Sequence, residues 1–402
     1  MSADTNLQAG IIHTIAGTGQ CDLSGDGGPA VSATLNEPKA VALDRQGNLI
    51  IADSENHVVR KIDRVTGRIL TIAGCVLTTG FGFESGPGSR TTEERDDPFS
   101  EVPASGSQAF AHQTDLSGTV RYVTNGAGMV KRFGGDQGPA LQALLNFPTA
   151  VAIDVTGDLY IADTMNHRIR RVHGNTGEIT TVAGTGQPRF AGDGGPAVSA
   201  GLNEPAGLAV DASGILYVAD QSNNRVRAID LNTGLIRTVA GTGAAAYNGD
   251  GIPATEAALA GPSGIALGAD GALLIADTFN GRIRAVDLAT GLIRTVIGDG
   301  GEYRYQGETE PPSASLSRPS SMAIDGEGNI YITDSDNHLV RRWDRVSERL
   351  ERVAGVGVPR DGGDGGSARE AGLNYPFGVA VNDEGDVFIA DTFNHRIRKI
   401  MF

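Results

Sequence analysis

The chain is short of several things, and each shortage excludes a class of protein. Among its 402 residues there are two cysteines, Cys21 and Cys75. Two thiols build neither a disulfide framework nor a four-thiolate zinc site. Basic residues are outnumbered, 33 Lys and Arg against 48 Asp and Glu, for a net charge of -15. Nucleic acids and anionic membranes recruit basic surfaces, so neither is expected as a partner. No apolar stretch approaches the length of a membrane-spanning helix. The opening Met-Ser-Ala-Asp-Thr-Asn-Leu-Gln lacks the basic and apolar regions of a signal peptide. A cytoplasmic location is expected if Met1 is the native start, and a secreted or periplasmic one otherwise. Walker, His-Glu-x-x-His, Gly-x-Ser-x-Gly and EF-hand motifs are absent from the sequence.

Glycine, by contrast, supplies 57 residues, roughly double the usual share. It shows no Gly-X-Y period, which excludes collagen. Aromatics are only 5%, but hydrophobic residues reach 40%, enough for a core and too many for wholesale disorder. Many short Val, Ile, Leu and Ala runs between glycines predict strands and tight turns.

Internal repetition organises these runs. The phrase Leu-Tyr-Ile-Ala-Asp-Thr-Met-Asn-His-Arg-Ile-Arg at 159–170 recurs five more times. Its aspartate falls at Asp53, Asp163, Asp220, Asp277, Asp334 and Asp391, and the last four intervals are 57 residues each. Length alone suggests two or three domains. The period instead predicts one domain over 1–402, a solenoid or a propeller. Within one period, 148–184, four runs of about five residues are separated by three turn signals, which describes one propeller blade. The last repeat stops at Phe402 without a fourth strand, and residues 10–17 align with the fourth strand of the second repeat. Pairing the two ends closes a ring and removes open sheet edges. The predicted fold is all-β: a six-bladed β-propeller of four-stranded antiparallel blades.

The Asp-x-x-Asn-His-x-(Ile/Val)-Arg phrase resembles the NHL repeat. The Gly-Asp-Gly-Gly-Pro-Ala linkers at 25–30 and 192–197 are similar to the bacterial style of that repeat. The resemblance covers nearly the whole chain except about 75–128. It implies a propeller. It also implies a range of roles: protein-binding or RNA-binding modules, extracellular sensor domains, and related lyases and lactonases with a metal in the central channel. Fold alone does not choose among them.

The repeated polar residues are expected to serve the scaffold. Each motif Asp and the Arg seven residues later can form a charge-assisted hydrogen bond on one blade. The motif asparagines suit a left-handed turn. His57, His167, His338 and His395 are expected to cap their turns. No cofactor is predicted, although a divalent metal in the channel stays open as an alternative.

Ligand recognition calls for asymmetry, so candidate site residues are those that break the period. The residue before the proline of each inner strand reads Glu37, Phe147, Glu204, Gly261, Arg318 and Tyr375. Two after the motif aspartate stand Glu55, Met165, Ser222, Phe279, Asp336 and Phe393. Both sets are expected on the face around the channel mouth. There Arg318 suits a carboxylate and the aromatics suit stacking, while Met165, Phe279 and Phe393 offer exposed apolar spots for a protein. Residues 75–128 form an insertion between blades one and two, read as a loop, a lid or a decayed hairpin. A seventh blade and a Cys21–Cys75 disulfide are the less favoured readings.

The function expected is that of a monomeric binding scaffold, holding a protein, peptide or small polar ligand at the mouth. The alternative is a lyase, hydrolase or isomerase, with Glu37 or Glu204 as base, Tyr375 as acid and Arg318 as anion anchor.

Overall fold

A computed structural model of the chain describes residues 10–75, 133–268, 270–301, 305, 309–310 and 313–402. All of the insertion except Cys75 lies outside the described residues, as does the hairpin expected near 115–123. Cys21 and Cys75 are both free thiols.

The described chain forms six antiparallel sheets of the expected kind. Blade one holds Pro38–Leu43, Leu49–Asp53, Val58–Ile62 and Ile69–Ala73. Blades two to five repeat this order, with inner strands Pro148–Ile153, Pro205–Val210, Pro262–Leu267 and Pro319–Ile324. Blade six holds Pro376–Val381, Val387–Asp391 and Arg396–Met401, and Ile11–Ala16 supplies its outer strand. Ile12 pairs with Ile400 and Thr14 with Arg398 across that seam. Each linker also touches the outer edge of the blade it leads into. It does so as a two-residue strand, such as Gly138–Pro139, or as a single bridge, such as Pro29 to Arg68.

The inner strands meet their neighbours in a closed cycle around the axis. Small residues there are a steric requirement. A Cβ on Gly207 would lie 1.9 Å from the Ser263 carbonyl oxygen, and one on Gly378 would lie 2.7 Å from that of Lys39.

The core is distributed between blades. Six apolar clusters form, each drawn from two adjacent blades. In Leu159–Asp163, Leu159 and Ile161 pack toward blade one, while Tyr160 and Ala162 pack toward blade three. Side chains alternate across a strand, and both faces of this one are buried. The second strands therefore read as unbroken apolar runs.

Six guanidiniums are fully buried within this apolar ring. Arg170 is 3.1 Å from Asp163 and 2.7 Å from the linker residue Asp136. Arg60, Arg227, Arg284 and Arg398 repeat both pairings, the linker acid being Asp26, Asp193, Asp250 and Asp364. The Gly-Asp-Gly linkers thus spend their carboxylates on holding the blade beneath them. The buried aspartates carry the order outward. Asp53 accepts the Asn36 N–H at 2.7 Å and Asp163 that of Asn146 at 2.7 Å. Asp220, Asp277, Asp334 and Asp391 do the same, so each one fixes the loop before an inner-strand proline. Burial raises all six above the usual carboxylate range, Asp53 to about 7 and Asp220, Asp334 and Asp391 to about 6.

Candidate functional site

Two left-handed residues per blade shape the mouth of the channel. After the second strand of blades two to six a single 3-10 turn ends in a residue with positive φ, such as His167 at 52°, Asn224 at 51° and Gly281 at 58°, and the turn of blade one ends likewise in His57 at 57°. The residue before each inner-strand proline is also left-handed, as in Glu37 (48°), Phe147 (54°), Glu204 (51°), Arg318 (50°) and Tyr375 (47°). The two positions are joined. The imidazole Nδ1 of His57 accepts the Phe147 N–H at 3.0 Å, and His167, His338 and His395 accept from Glu204, Tyr375 and Glu37 at 3.1 Å each. The side-chain Oδ1 of Asn224 does the same for the Gly261 N–H at 2.9 Å. The histidines therefore tie consecutive blades rather than capping their own turns. Burial pulls His338 down to about 4, which keeps its ring neutral and able to accept.

Glycine meets the backbone requirement at position 261, yet five blades carry a side chain there. A left-handed L-residue costs roughly 1–2 kcal/mol. Side chains held at that cost, at the rim of a channel, point to a role for the side chains themselves.

Inside this rim lies a pocket of about 580 Å³, counting space open to solvent, to which all six blades contribute. Phe147, Phe279 and Arg318, three of the candidate residues, line it. Lys39, Gln221 and Phe377, which the sequence reading passed over, line it as well. Lys39 is only 7% exposed. Its ammonium stands 3.5 Å from the Glu37 carboxylate, and 4.1, 5.0 and 5.8 Å from the ring centres of Phe377, Phe393 and Phe147. This places a cation against aromatic faces from blades six and two. Tyr375 packs edge-on to Phe393 at 5.2 Å and to His338 at 4.5 Å. Three candidate residues, Glu37, Phe147 and Phe393, thus gather around a lysine that was not predicted, and Tyr375 packs on one of them.

Arg318 forms a second cationic corner in blade five. Its guanidinium is 3.7 Å from Asp336 and 5.5 Å from the Phe279 ring centre. The Phe279 ring fills space that a side chain at 261 would occupy, since a Cβ on Gly261 would lie 2.3 Å from it. Glu204 stands apart from both corners and accepts a 2.5 Å hydrogen bond from Ser222. Glu55 is exposed, whereas Met165, Phe279 and Phe393 are half-buried, less open than expected.

Thr149, Ser263, Thr278 and Ser320 add hydroxyls to the pocket lining, and behind it runs a repeated inter-blade tie. Ser54, Thr164, Thr278, Ser335 and Thr392, each directly after a motif aspartate, donate to the carbonyl of the next blade's first proline at 2.6–2.9 Å. In blade three this position is Gln221. The residue after the proline reads Lys39, Thr149, Ala206, Ser263, Ser320 and Phe377, and it too breaks the period. That alternation was a readable signal. Among the described residues no cluster of three or more metal-ligating side chains is present, and no helix is long and apolar enough to cross a membrane.

Comparison with known proteins agrees with the architecture. The NHL repeat pattern matches residues 35–62, 145–172, 316–343 and 373–400, and the teneurin NHL domain matches 182–248. Suppressor of quenching 1, chloroplastic, of Arabidopsis thaliana is 32% identical over 269 residues, covering 64% of this chain and 25% of that protein. Human NHL repeat-containing protein 2 is 26% identical over 297 residues, 64% of this chain and 39% of that protein. The chain thus spans well under half the length of either. Among solved structures, an auxiliary nutrient binding protein from Bacteroides thetaiotaomicron superposes with a TM-score of 0.61 at 15% identity, over 97% of this chain and 76% of that one. A gluconolactonase from Xanthomonas campestris superposes with a TM-score of 0.55 at 13% identity, over 99% of this chain and 93% of that one. With its repeat phrase in every blade and its ring of six sheets, the chain belongs to the NHL-repeat β-propellers.

Proposed function

We propose that this propeller is a binding module that holds a small organic anion, or the carboxylate end of a peptide, in its channel mouth. The observation that carries this reading is the convergence of Lys39 and Arg318 on one aromatic-walled pocket, in a chain with net charge -15. Bulk electrostatics do not favour an anion here, so the attraction has to be local. Phenylalanine faces supply apolar contact and the two cations fix orientation, the usual composition of a small-molecule site. No cofactor is needed for this role.

The catalytic alternative fits less well. Its candidate bases and acid, Glu37, Glu204 and Tyr375, are not among the residues that line the pocket; Glu204 accepts from Ser222 and Tyr375 packs among aromatic rings. An auxiliary nutrient binding protein and a gluconolactonase share the fold, so the fold favours neither reading.

The test is isothermal calorimetry of the purified chain against aromatic and aliphatic carboxylates and their alcohol analogues. Acids should bind and alcohols should not. Lys39→Ala and Arg318→Ala should each weaken binding about tenfold or more, as expected for loss of a charge-assisted hydrogen bond of ~1.5–3 kcal/mol. Equal binding by both variants and the wild type would sink the proposal.

A further inference from the structure

Blade three departs from the other five at one point. Elsewhere the residue after the motif aspartate is Ser or Thr, and its hydroxyl ties the next blade's proline carbonyl. Gln221 takes that position and lines the pocket instead. Among the described residues its side-chain amide makes no hydrogen bond. A repeated inter-blade bond has been given up, and a group able both to donate and to accept faces the cavity.

The neighbours of Gln221 define what it faces. Going round the ring, Gln221 (blade three), Phe279 (blade four) and Arg318 (blade five) form a continuous arc of one pocket. Phe279 sits in the middle because Gly261 leaves room for its ring. The arc therefore offers an amide, an apolar aromatic face and a guanidinium, in that order. A carboxamide is complementary to another amide, donating to its carbonyl and accepting from its N–H. A guanidinium is complementary to a carboxylate, through paired N–H donors. A molecule with an amide near a carboxylate, and an apolar side chain between them, satisfies all three.

We infer that the blade three to five arc selects N-acylated amino acids or peptide C-termini with an apolar last residue. Arg318 takes the carboxylate, Phe279 packs on the side chain, and Gln221 pairs with the last peptide group. This deepens the carboxylate-binding reading and rests on it.

Two probes separate the two ideas by calorimetry: N-acetyl-phenylalanine, and 3-phenylpropionate, which keeps the ring and carboxylate but lacks the amide. Wild type should bind the N-acetyl compound about tenfold more tightly, the worth of one or two neutral hydrogen bonds. Gln221→Thr restores the hydroxyl found in the other blades. It should erase that preference, leave 3-phenylpropionate affinity within about twofold, and not lower the thermal midpoint. Gln221→Leu should erase the preference as well. Arg318→Leu should weaken both probes together. If wild type binds the two acids equally and the Gln221 variants change nothing, the arc does not read an amide and this inference falls, while carboxylate binding stands. If wild type binds neither acid, the carboxylate reading itself falls.

Discussion

The histidines of the NHL phrase show how much a single residue does in this ring. His338 accepts the Tyr375 N–H across a blade boundary, and a protonated imidazole cannot accept at that nitrogen. Burial holds the ring neutral, with its pKa pulled down to about 4. The folded value lies below that of an unfolded histidine, ~6.5. The stability tied to the neutral ring is thus complete above about pH 6.5 and is lost as pH falls toward 4. Asn224, which makes the same bond at 2.9 Å, indicates the repair. His338→Ala should destabilise the protein by about 1–3 kcal/mol at pH 7, the cost of leaving a buried donor without its partner. His338→Asn should keep most of the stability and lose the acid sensitivity, because an amide carbonyl accepts at any pH. Denaturant melts of the three proteins at pH 5 and pH 7 check this. Identical pH responses for His338→Asn and wild type would count against the bridge.

At the scale of the element, the blades were legible because every repeated residue serves the scaffold and recurs with the period. The pre-proline residues stood out against that regularity, and Phe147 and Arg318 do line the pocket. Lys39 was passed over although its position also varies from blade to blade, because the rest of its strand, Ala-Val-Ala-Leu, reads as uniformly apolar. Gln221 was hidden for another reason. Its neighbours in the alignment are Ser and Thr, and their bond to the next blade's proline carbonyl is invisible until the blades are placed side by side. The ring seam could be read from the split repeat alone. Ile11–Ala16 completes blade six, and Ile12 and Ala16 are fully buried in the clusters on its two sides. Removing residues 1–17 should therefore open the ring. It would strip an outer strand, expose the edge of Arg396–Met401, and leave two apolar clusters incomplete. The expected result is a fall in midpoint on thermal melting together with self-association on light scattering. Adding a peptide of residues 8–19 should reverse both in part. An unchanged monomeric melt would mean that the seam does not hold the ring.

For the whole molecule, the arginine–aspartate staples couple architecture to pH. Six aspartates lie in the ring beside buried arginines, and burial raises each of them, Asp53 to about 7 and three others to about 6. A folded value above the unfolded one means that the native state binds more protons between about pH 4 and 7. Stability then falls as pH rises through that range. His338 opposes this with one group, and the six aspartates outnumber it. The net charge of -15 acts in the same direction as the aspartates, since self-repulsion grows as the chain moves above its isoelectric point near 4.9. The thermal midpoint should accordingly be higher at pH 5 than at pH 8. Most of the difference should survive at high salt, because buried groups are screened far less than surface charge. Asp53→Asn tests the source. An amide oxygen can still accept the Asn36 N–H but does not titrate, so this variant should show a shallower decline between pH 6 and 8. A midpoint that rises across that range, or a slope that Asp53→Asn leaves unchanged, would show that the staples are fully ionised at neutral pH.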